Sequence, residues 1–384
     1  MNRATHQLRR WLSHYGWPSL AGLLVAVIVL QQLQTPEINT VSEPNGLRHS
    51  YKQAVAQAMP SVVKIYTTKV VASPRHPLLN DPLFKRFIER RGLSQRDKIE
   101  RGLGSGVIVR ADGYILTNNH VINNADQIRV MLSDGRQRLA QIVGVDEPTD
   151  LAVLKIDMDN LNPATFANPE SVAIGDVVLA IGNPYGIGQT VTQGIVSATG
   201  RYGLQLNTYE KYIQTDAAIN QGNSGGALVN AAGELIGINS VLYSRSGGSN
   251  GIGFAIPNDI AMYVLNSIIK HGKVIRGWLG ISAEEITPSI AESFALSTDS
   301  GLVLISIVRG GPADRAGLNV GDIITHINGV KVGSGNDGMH QIAQIAPGSK
   351  ITILALRAGA AQSFLVTIGQ IPDSAFSNSS RRPN

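Results

Sequence analysis

Between Val62 and Pro257 the chain is written as short apolar runs cut by turn signals, among them "SVVKIYT", "GVIV", "YILT", "IRVML", "LAVLKI", "DVVLAIG" and "GIVSATG". β-Branched residues fill the runs, and Asp112-Gly113 and Asp134-Gly135 punctuate them as hairpin turns do. No strand–helix–strand rhythm interrupts the pattern, so a parallel α/β sheet is excluded and an all-β barrel or sandwich is predicted. The 41 glycines agree with a loop-rich β-protein, and 43% hydrophobic residues suffice for a true core. One segment departs from this pattern: Ser73 to Gly102 is long, charged and rich in breakers, and reads as a mobile surface loop. A helix is predicted from "PNDIAMYVLNSIIKHG", which opens on Pro257 and stops at Gly272. Beyond it, "GWLGIS", "GLVLISIV", "GDIITHINGVKV" and "ITILALRAG" form a second, smaller strand-rich unit. The 384 residues suggest two or three domains.

The N-terminus is organised differently. Arg3, Arg9 and Arg10 are followed by no charged residue until Glu37, and that gap holds "WLSHYGWPSLAGLLVAVIVLQQL". Its strictly apolar centre, Leu20 to Leu30, has the length of a signal-peptide core, but "QQLQTPEINT" follows without a small-x-small cleavage site. Tyr15 to Leu33 is long enough to span a bilayer at 1.5 Å per residue, and Trp11, Tyr15 and Trp17 would mark one interface. The reading is an uncleaved transmembrane anchor over residues 11–33. The preceding arginines would keep residues 1–10 cytoplasmic, and the remainder would lie outside that membrane. Residues 34–50 read as a polar tether and 371–384 as a disordered tail.

Several functions are excluded early. The basic residues are dispersed, the net charge is +5, and no basic face is interleaved with aromatics, so no nucleic acid partner is expected. Cysteine is absent, which removes disulfides and thiolate metal sites, and no metal-ligand or cofactor motif occurs. The glycines of "GNPYGIGQ" do not complete a dinucleotide fingerprint.

One motif carries chemistry. "GNSGG", Gly222 to Gly226, satisfies the nucleophile elbow of α/β-hydrolases and equally the serine loop of chymotrypsin-like peptidases. An elbow needs a helix after the serine, yet "GGALVNAAGELIGIN" reads as a hairpin turning at Gly233. Upstream, "YILTNNHVI" delivers His120 at a strand end, and "PTDLAVLKI" places Asp150 at the start of an apolar strand. The order His120, Asp150, Ser224 is that of chymotrypsin, and the elbow reading fails. Ser224 would be the nucleophile, His120 its base, and Asp150 the group that orients the imidazole. Taken singly, His120 and Asp150 would pass for turn residues; the order joins them. Asp216, eight residues before the serine, reads as structural.

With these blocks in place, together with "TDLAVLKI", "QTDAAINQGNSGGALVN", "GIGFAIP", "RGWLGI" and "GGPADRAGLNVGDIITHINGVKV", the chain resembles the HtrA family of trypsin-fold peptidases over about residues 50–370. The resemblance implies a double β-barrel protease domain (51–272) followed by one PDZ domain (275–370). It implies that the N–H groups of Gly222 and Ser224 form the oxyanion hole, and that Ala218 lies at the base of the specificity pocket. With no charge there, a small or medium apolar residue is expected before the scissile bond. The loop "LYSRSGGSNGIG" would shape that pocket. It further implies that "WLGI", Trp278, Leu279, Gly280 and Ile281, captures a peptide carboxylate, against the plainer reading of Trp278 and Leu279 as core.

A single PDZ domain behind an anchor is most similar to the inner-membrane, stress-sensing branch of the family. That branch implies a periplasmic protease on the inner membrane, a homotrimer with contacts near Tyr51, a membrane anti-sigma factor as substrate, and outer-membrane-protein C-termini as activators. Regulation would pass through the junction near Gly272, and Arg201, after "SATG", is a candidate relay because a guanidinium can bridge carbonyls across domains. Two other readings stand beside this one: a broad quality-control protease for misfolded proteins, and a PDZ tether or chaperone whose hydrolysis is incidental.

Overall fold

The computed structural model describes residues 11, 15–33, 50–71, 98–183, 188–204, 206–242, 251–286, 291–292 and 301–371. The chain divides into residues Met1–Ser50 and a compact unit that begins at Tyr51.

In the first part, Trp17–Leu33 is one helix of 17 residues with no charged side chain in its first or last turn. Trp17, Leu20, Leu23 and Leu24 are exposed along it. Among the described residues no helix is long and apolar enough to cross a membrane.

The second part opens on a short helix, Lys52–Ala58, and then builds β1 (Val62–Val71), β2 (Lys98–Ile108), β3 (Tyr114–Asn118), β4 (Gln127–Met131), β5 (Gln137–Leu139), β6 (Gln141–Asp146) and β7 (Leu151–Lys155). They pair in the order β5-β4-β1-β2-β3-β7-β6. The next six strands are β8 (Val177–Gly182), β9 (Thr190–Arg201), β10 (Tyr212–Thr215), β11 (Ala227–Asn230), β12 (Leu235–Leu242) and β13 (Gly253–Pro257). These close into a barrel, β10-β13-β12-β11-β8-β9. Alternation explains the burial: along β1 the pattern runs from fully buried Val62, Val63 and Ile65 to exposed residues at its far end.

The sequence reading of Ser73 to Gly102 as loop needs correction at its end. Lys98 to Gly102 belong to β2, where Lys98 faces Val71 and Gly102 faces Thr67. The five residues are exposed because this hairpin projects beyond the core, which is why their charges resemble a loop. Residues 72–97 lie outside the described residues.

The helix Asn258–His271 runs within one residue of expectation, with Pro257 before it and Gly272 after it at φ +72°, where the Gly272 N–H reaches the Ile268 carbonyl at 2.8 Å. Ile260, Ala261, Val264, Leu265 and Ile268 bury its inner face in the core shared by the two sheets. The remaining strands are β14 (Gly277–Trp278), β15 (Ile281–Glu285), β16 (Leu302–Ile307), β17 (Ile323–Ile327), β18 (Val330–Lys331), β19 (Lys350–Arg357), β20 (Ala360–Thr367) and β21 (Gly369–Gln370). They form a sheet in the order β15-β16-β17-β19-β20, with β18 on β17 and a separate β14–β21 pair. The helix Gly335–Ala343 is capped by Ser334, whose hydroxyl accepts the Asp337 N–H, and it packs beside β14 and β15. This unit has its own core around Leu304, Ile327, Ile353 and Val366.

Candidate active site and peptide groove

Strand pairing brings the first two candidates together. β3 and β7 are antiparallel with Asn118 opposite Leu151, so His120, in the short helix Asn119–Ile122, meets Asp150 just ahead of β7. Asp150 Oδ2 lies 2.6 Å from His120 Nδ1, and Oδ1 accepts the His120 N–H at 2.9 Å. An ionised carboxylate only accepts, so Nδ1 carries the proton, and in the neutral ring that leaves the lone pair on Nε2. Asp150 sits in the left-handed region at φ 58°, a conformation that costs about 1–3 kcal/mol and persists only under constraint. Its carbonyl supplies that constraint, accepting the Asn119 N–H at 3.0 Å and Asn118 Nδ2 at 3.1 Å. Sequence reasoning assigned no part to Asn118, although it stands in the quoted "TNNH".

Ser224 lies on the turn between β10 and β11, in the closed barrel, and β11–β12 is the expected hairpin. Its hydroxyl donates to the Ser240 carbonyl at 2.9 Å rather than to His120. Gly222 has φ +100°, a backbone state that a side chain would strain. Gly225 is required for a different reason: a Cβ there would stand 2.2 Å from the Ser105 carbonyl oxygen. Among the described residues no carbonyl accepts the N–H of Gly222 or of Ser224. Ala218 is half-buried, and its carbonyl accepts Thr192 Oγ1 at 2.8 Å. Asp216 accepts the Ile195 N–H at 2.7 Å, as its structural reading requires. The pocket loop at 243–250 lies outside the described residues, as do residues 184–187 of "GNPYGIGQ".

The four residues of "WLGI" line one end of a cavity of about 480 Å³ between β15 and the helix Gly335–Ala343. Among the described residues β15 is an edge strand, with no strand paired on one side, as strand addition requires. Gly280 adopts φ +76° against the Trp278 ring. The Leu279 and Gly280 carbonyls are taken by the N–H groups of Ala313 and Val308 at 3.0 and 2.8 Å. Among the described residues their own N–H groups meet no carbonyl. Leu279 is also buried in the core, as the plainer reading of it expects, while it lines this cavity. Tyr209, a residue of the protease part, lines the same cavity.

The two parts are tied by contacts that sequence reasoning missed. Arg276 forks onto Asp146 (Nη1 to Oδ1 2.8 Å, Nη2 to Oδ2 2.5 Å) with both side chains buried, and its guanidinium lies 4.4 Å from the Tyr209 ring centre. His340 Nε2 is 2.5 Å from the Glu210 carbonyl; within the protease part, the adjacent Tyr209 N–H reaches the Pro148 carbonyl at 2.9 Å. The junction is pinned rather than loose: the Ser267 hydroxyl donates to Lys273 and accepts from Ile275, and the Tyr263 hydroxyl bonds the Ile275 carbonyl. Arg201 is not brought to the PDZ part. It is exposed on β9, with Gln214 Oε1 3.1 Å from its Nε.

Comparison with known proteins accounts for both halves. The trypsin-like peptidase domain family matches residues 104–238, and the PDZ domain family matches residues 277–368. A "Probable periplasmic serine endoprotease DegP-like" of Pseudomonas savastanoi pv. phaseolicola is 42% identical over 372 residues, covering 92% of this chain and 76% of that relative. A solved structure described as "HtrA-type protease AlgW with decapeptide" is 52% identical, with TM-score 0.69, covering 84% of this chain and 99% of that one. The chain belongs to the HtrA family of serine endoproteases. A serine endoprotease from Yersinia pestis is also similar, at 42% identity and TM-score 0.56. The enzyme is thus a trypsin-fold protease with one matched PDZ domain, and mainly β.

Proposed function

We propose that this serine endoprotease is held at the inner membrane, faces the periplasm, and is controlled by a peptide C-terminus bound at its PDZ groove. The observation that carries the regulatory part is Tyr209: it lines the peptide groove while its own N–H is bonded to Pro148, two residues before Asp150. A ligand in the groove would therefore meet a residue that is hydrogen-bonded to the segment carrying Asp150.

In this reading Ser224 swings from the Ser240 carbonyl to His120 Nε2, gives up its proton there, and attacks the scissile carbonyl. His120 returns the proton to the leaving amine, and Asp150 stabilises the imidazolium. The N–H groups of Gly222 and Ser224 receive the oxyanion, each worth about 3–4 kcal/mol when well placed. Ala218 favours a small or medium apolar residue before the cut. The substrate is a membrane anti-sigma factor, the activators are C-termini of outer-membrane proteins, and the working form is a homotrimer. Relatives called periplasmic and a relative solved with a decapeptide support this placement and this ligand class. The charge-free stretch from Trp11 to Pro36 and its helix Trp17–Leu33 support the anchor.

A titration tests the regulation: hydrophobic-ended peptides, as free acid and as C-terminal amide, against cleavage of one reporter. The expected result is activation by the acid alone, about 5–150-fold for a coupling of 1–3 kcal/mol. Equal rates with acid, amide and no peptide, together with an unchanged rate after deleting residues 275–384, would leave the PDZ domain a recruiting module only.

A further inference from the structure

Ser105 lies in β2, far in sequence from the serine loop, and is fully buried. Every polar group it owns is engaged across the boundary between the two sheets or along β3. Its hydroxyl donates to the Gly222 carbonyl at 2.7 Å and accepts the Asn183 N–H at 3.0 Å. Its N–H donates to the Ser224 carbonyl at 2.9 Å. Its carbonyl accepts Thr117 Oγ1 at 2.7 Å, from the strand that delivers His120. Gly225 packs against that carbonyl so closely that any Cβ would collide.

The consequence is geometric. The peptide plane joining Gly222 to Asn223 is held at one end by the Ser105 hydroxyl and at the other by the Asn223 N–H on the Asn220 carbonyl at 2.9 Å. The plane joining Ser224 to Gly225 is held by the Ser105 N–H and by the Gly225 N–H on the Asn239 carbonyl at 2.8 Å. The Ser224 N–H belongs to the plane between these two, and its direction follows from them. The Gly222 N–H belongs to the preceding plane, joined to the first anchored one through Gly222 itself. We propose that Ser105 is a positioning residue for peptide cleavage: its hydroxyl and N–H fix the two carbonyls that aim the Gly222 and Ser224 N–H groups at the developing oxyanion.

This rests on reading Ser224 as the nucleophile with those two N–H groups as oxyanion donors. Loss of a whole donor costs about 10²–10³ in kcat, and misaiming costs less. In the full-length protein, Ser105→Ala is expected to lower kcat about 10–100-fold per folded molecule while KM stays within about threefold, because the contact acts in the transition state. Affinity for a peptide boronate, which forms a tetrahedral adduct on the serine, falls in parallel. Ser105→Cys, with a weaker donor of similar size, gives an intermediate kcat; it also carries the test should the alanine variant fail to fold. The proposal is overturned by an unchanged kcat, by a loss matched by the unfolded fraction in circular dichroism, or by a loss expressed in KM alone. Normal turnover by Ser224→Ala would instead remove the nucleophile assignment, so the two failures are distinct.

Discussion

The imidazole of His340, on the PDZ helix, is held 2.5 Å from the backbone carbonyl of Glu210, in the protease part, across 130 residues of sequence. Glu210 is itself buried, its carboxylate accepting the N–H groups of Leu204, Leu206 and Asn207. The carbonyl needs a donor, so His340 carries its proton on Nε2, and the edge of the ring meets Tyr209.

That contact predicts a pH dependence. Burial, the largest influence, lowers the His340 pKa below the ordinary value; the Glu210 carbonyl opposes this, Lys211 reinforces it, and Asp259 and Asp337 oppose it more weakly. A depressed pKa in the folded protein means stability that is complete above about pH 6.5 and is lost as pH falls toward the folded value. At pH 5.5 the loss reaches at most about tenfold in the folding equilibrium. The Tm of wild type should therefore fall further between pH 7.5 and 5.5 than that of His340→Gln, which keeps a donor but cannot titrate. Parallel curves for the two proteins would contradict the assignment.

The Arg276–Asp146 pair yields a second prediction. Removing one partner of a buried ion pair leaves the other charge uncompensated and typically costs about 3–5 kcal/mol. Arg276→Met is expected to destabilise by that amount in urea unfolding, and Arg276→Met with Asp146→Asn by clearly less. Asp146 Oδ2 also accepts the Thr149 hydroxyl at 2.5 Å, next to Asp150, so Asp146→Ala should lower kcat as well as stability. Additive single and double effects would mean the pair is not a coupled unit.

These interdomain contacts were the part that the sequence did not disclose. The candidate triad was legible because each member stands near a strand end, and chain order together with the hairpin after Ser224 separates one hydrolase class from another. The hairpin after Ser224 and the caps of Asn258–His271 were legible because turn glycines and Pro257 act locally. Nothing local marks Arg276 or His340 as a partner of a residue 130 positions away. Arg201 is a candidate relay because a guanidinium can bridge carbonyls across domains, but its side chain bonds Gln214 of the neighbouring strand β10, within the same barrel. Ser105 was hidden for a related reason: a serine between two glycines in a strand looks like filler until the closed barrel supplies its partners.

The proposed anchor gives a third prediction. The helix Trp17–Leu33 is about 26 Å long at 1.5 Å per residue, against a hydrocarbon core of about 30 Å, and its Trp17, Leu20, Leu23 and Leu24 side chains are exposed. The full-length chain should remain in carbonate-washed membranes, and deletion of residues 1–34 should release an active enzyme. Mature protein that begins near residue 35 would show cleavage instead.

The last prediction concerns the triad as a unit. His120 can serve as base only while Asp150 holds Nδ1–H, and Asp150 holds its left-handed backbone while Asn118 and Asn119 bond its carbonyl. Ser224→Ala and His120→Ala should each abolish peptide cleavage without unfolding the protein, and the double variant should be little worse than either, because residues acting together are not additive. A fluorophosphonate should label wild type at Ser224 and leave Ser224→Ala unlabelled. Asn118→Ala removes one of two bonds on the Asp150 carbonyl, worth about 0.5–1.5 kcal/mol, so kcat should fall by about two- to tenfold while labelling still occurs. Substantial turnover by Ser224→Ala, or full activity without His120, would break the assignment at its centre.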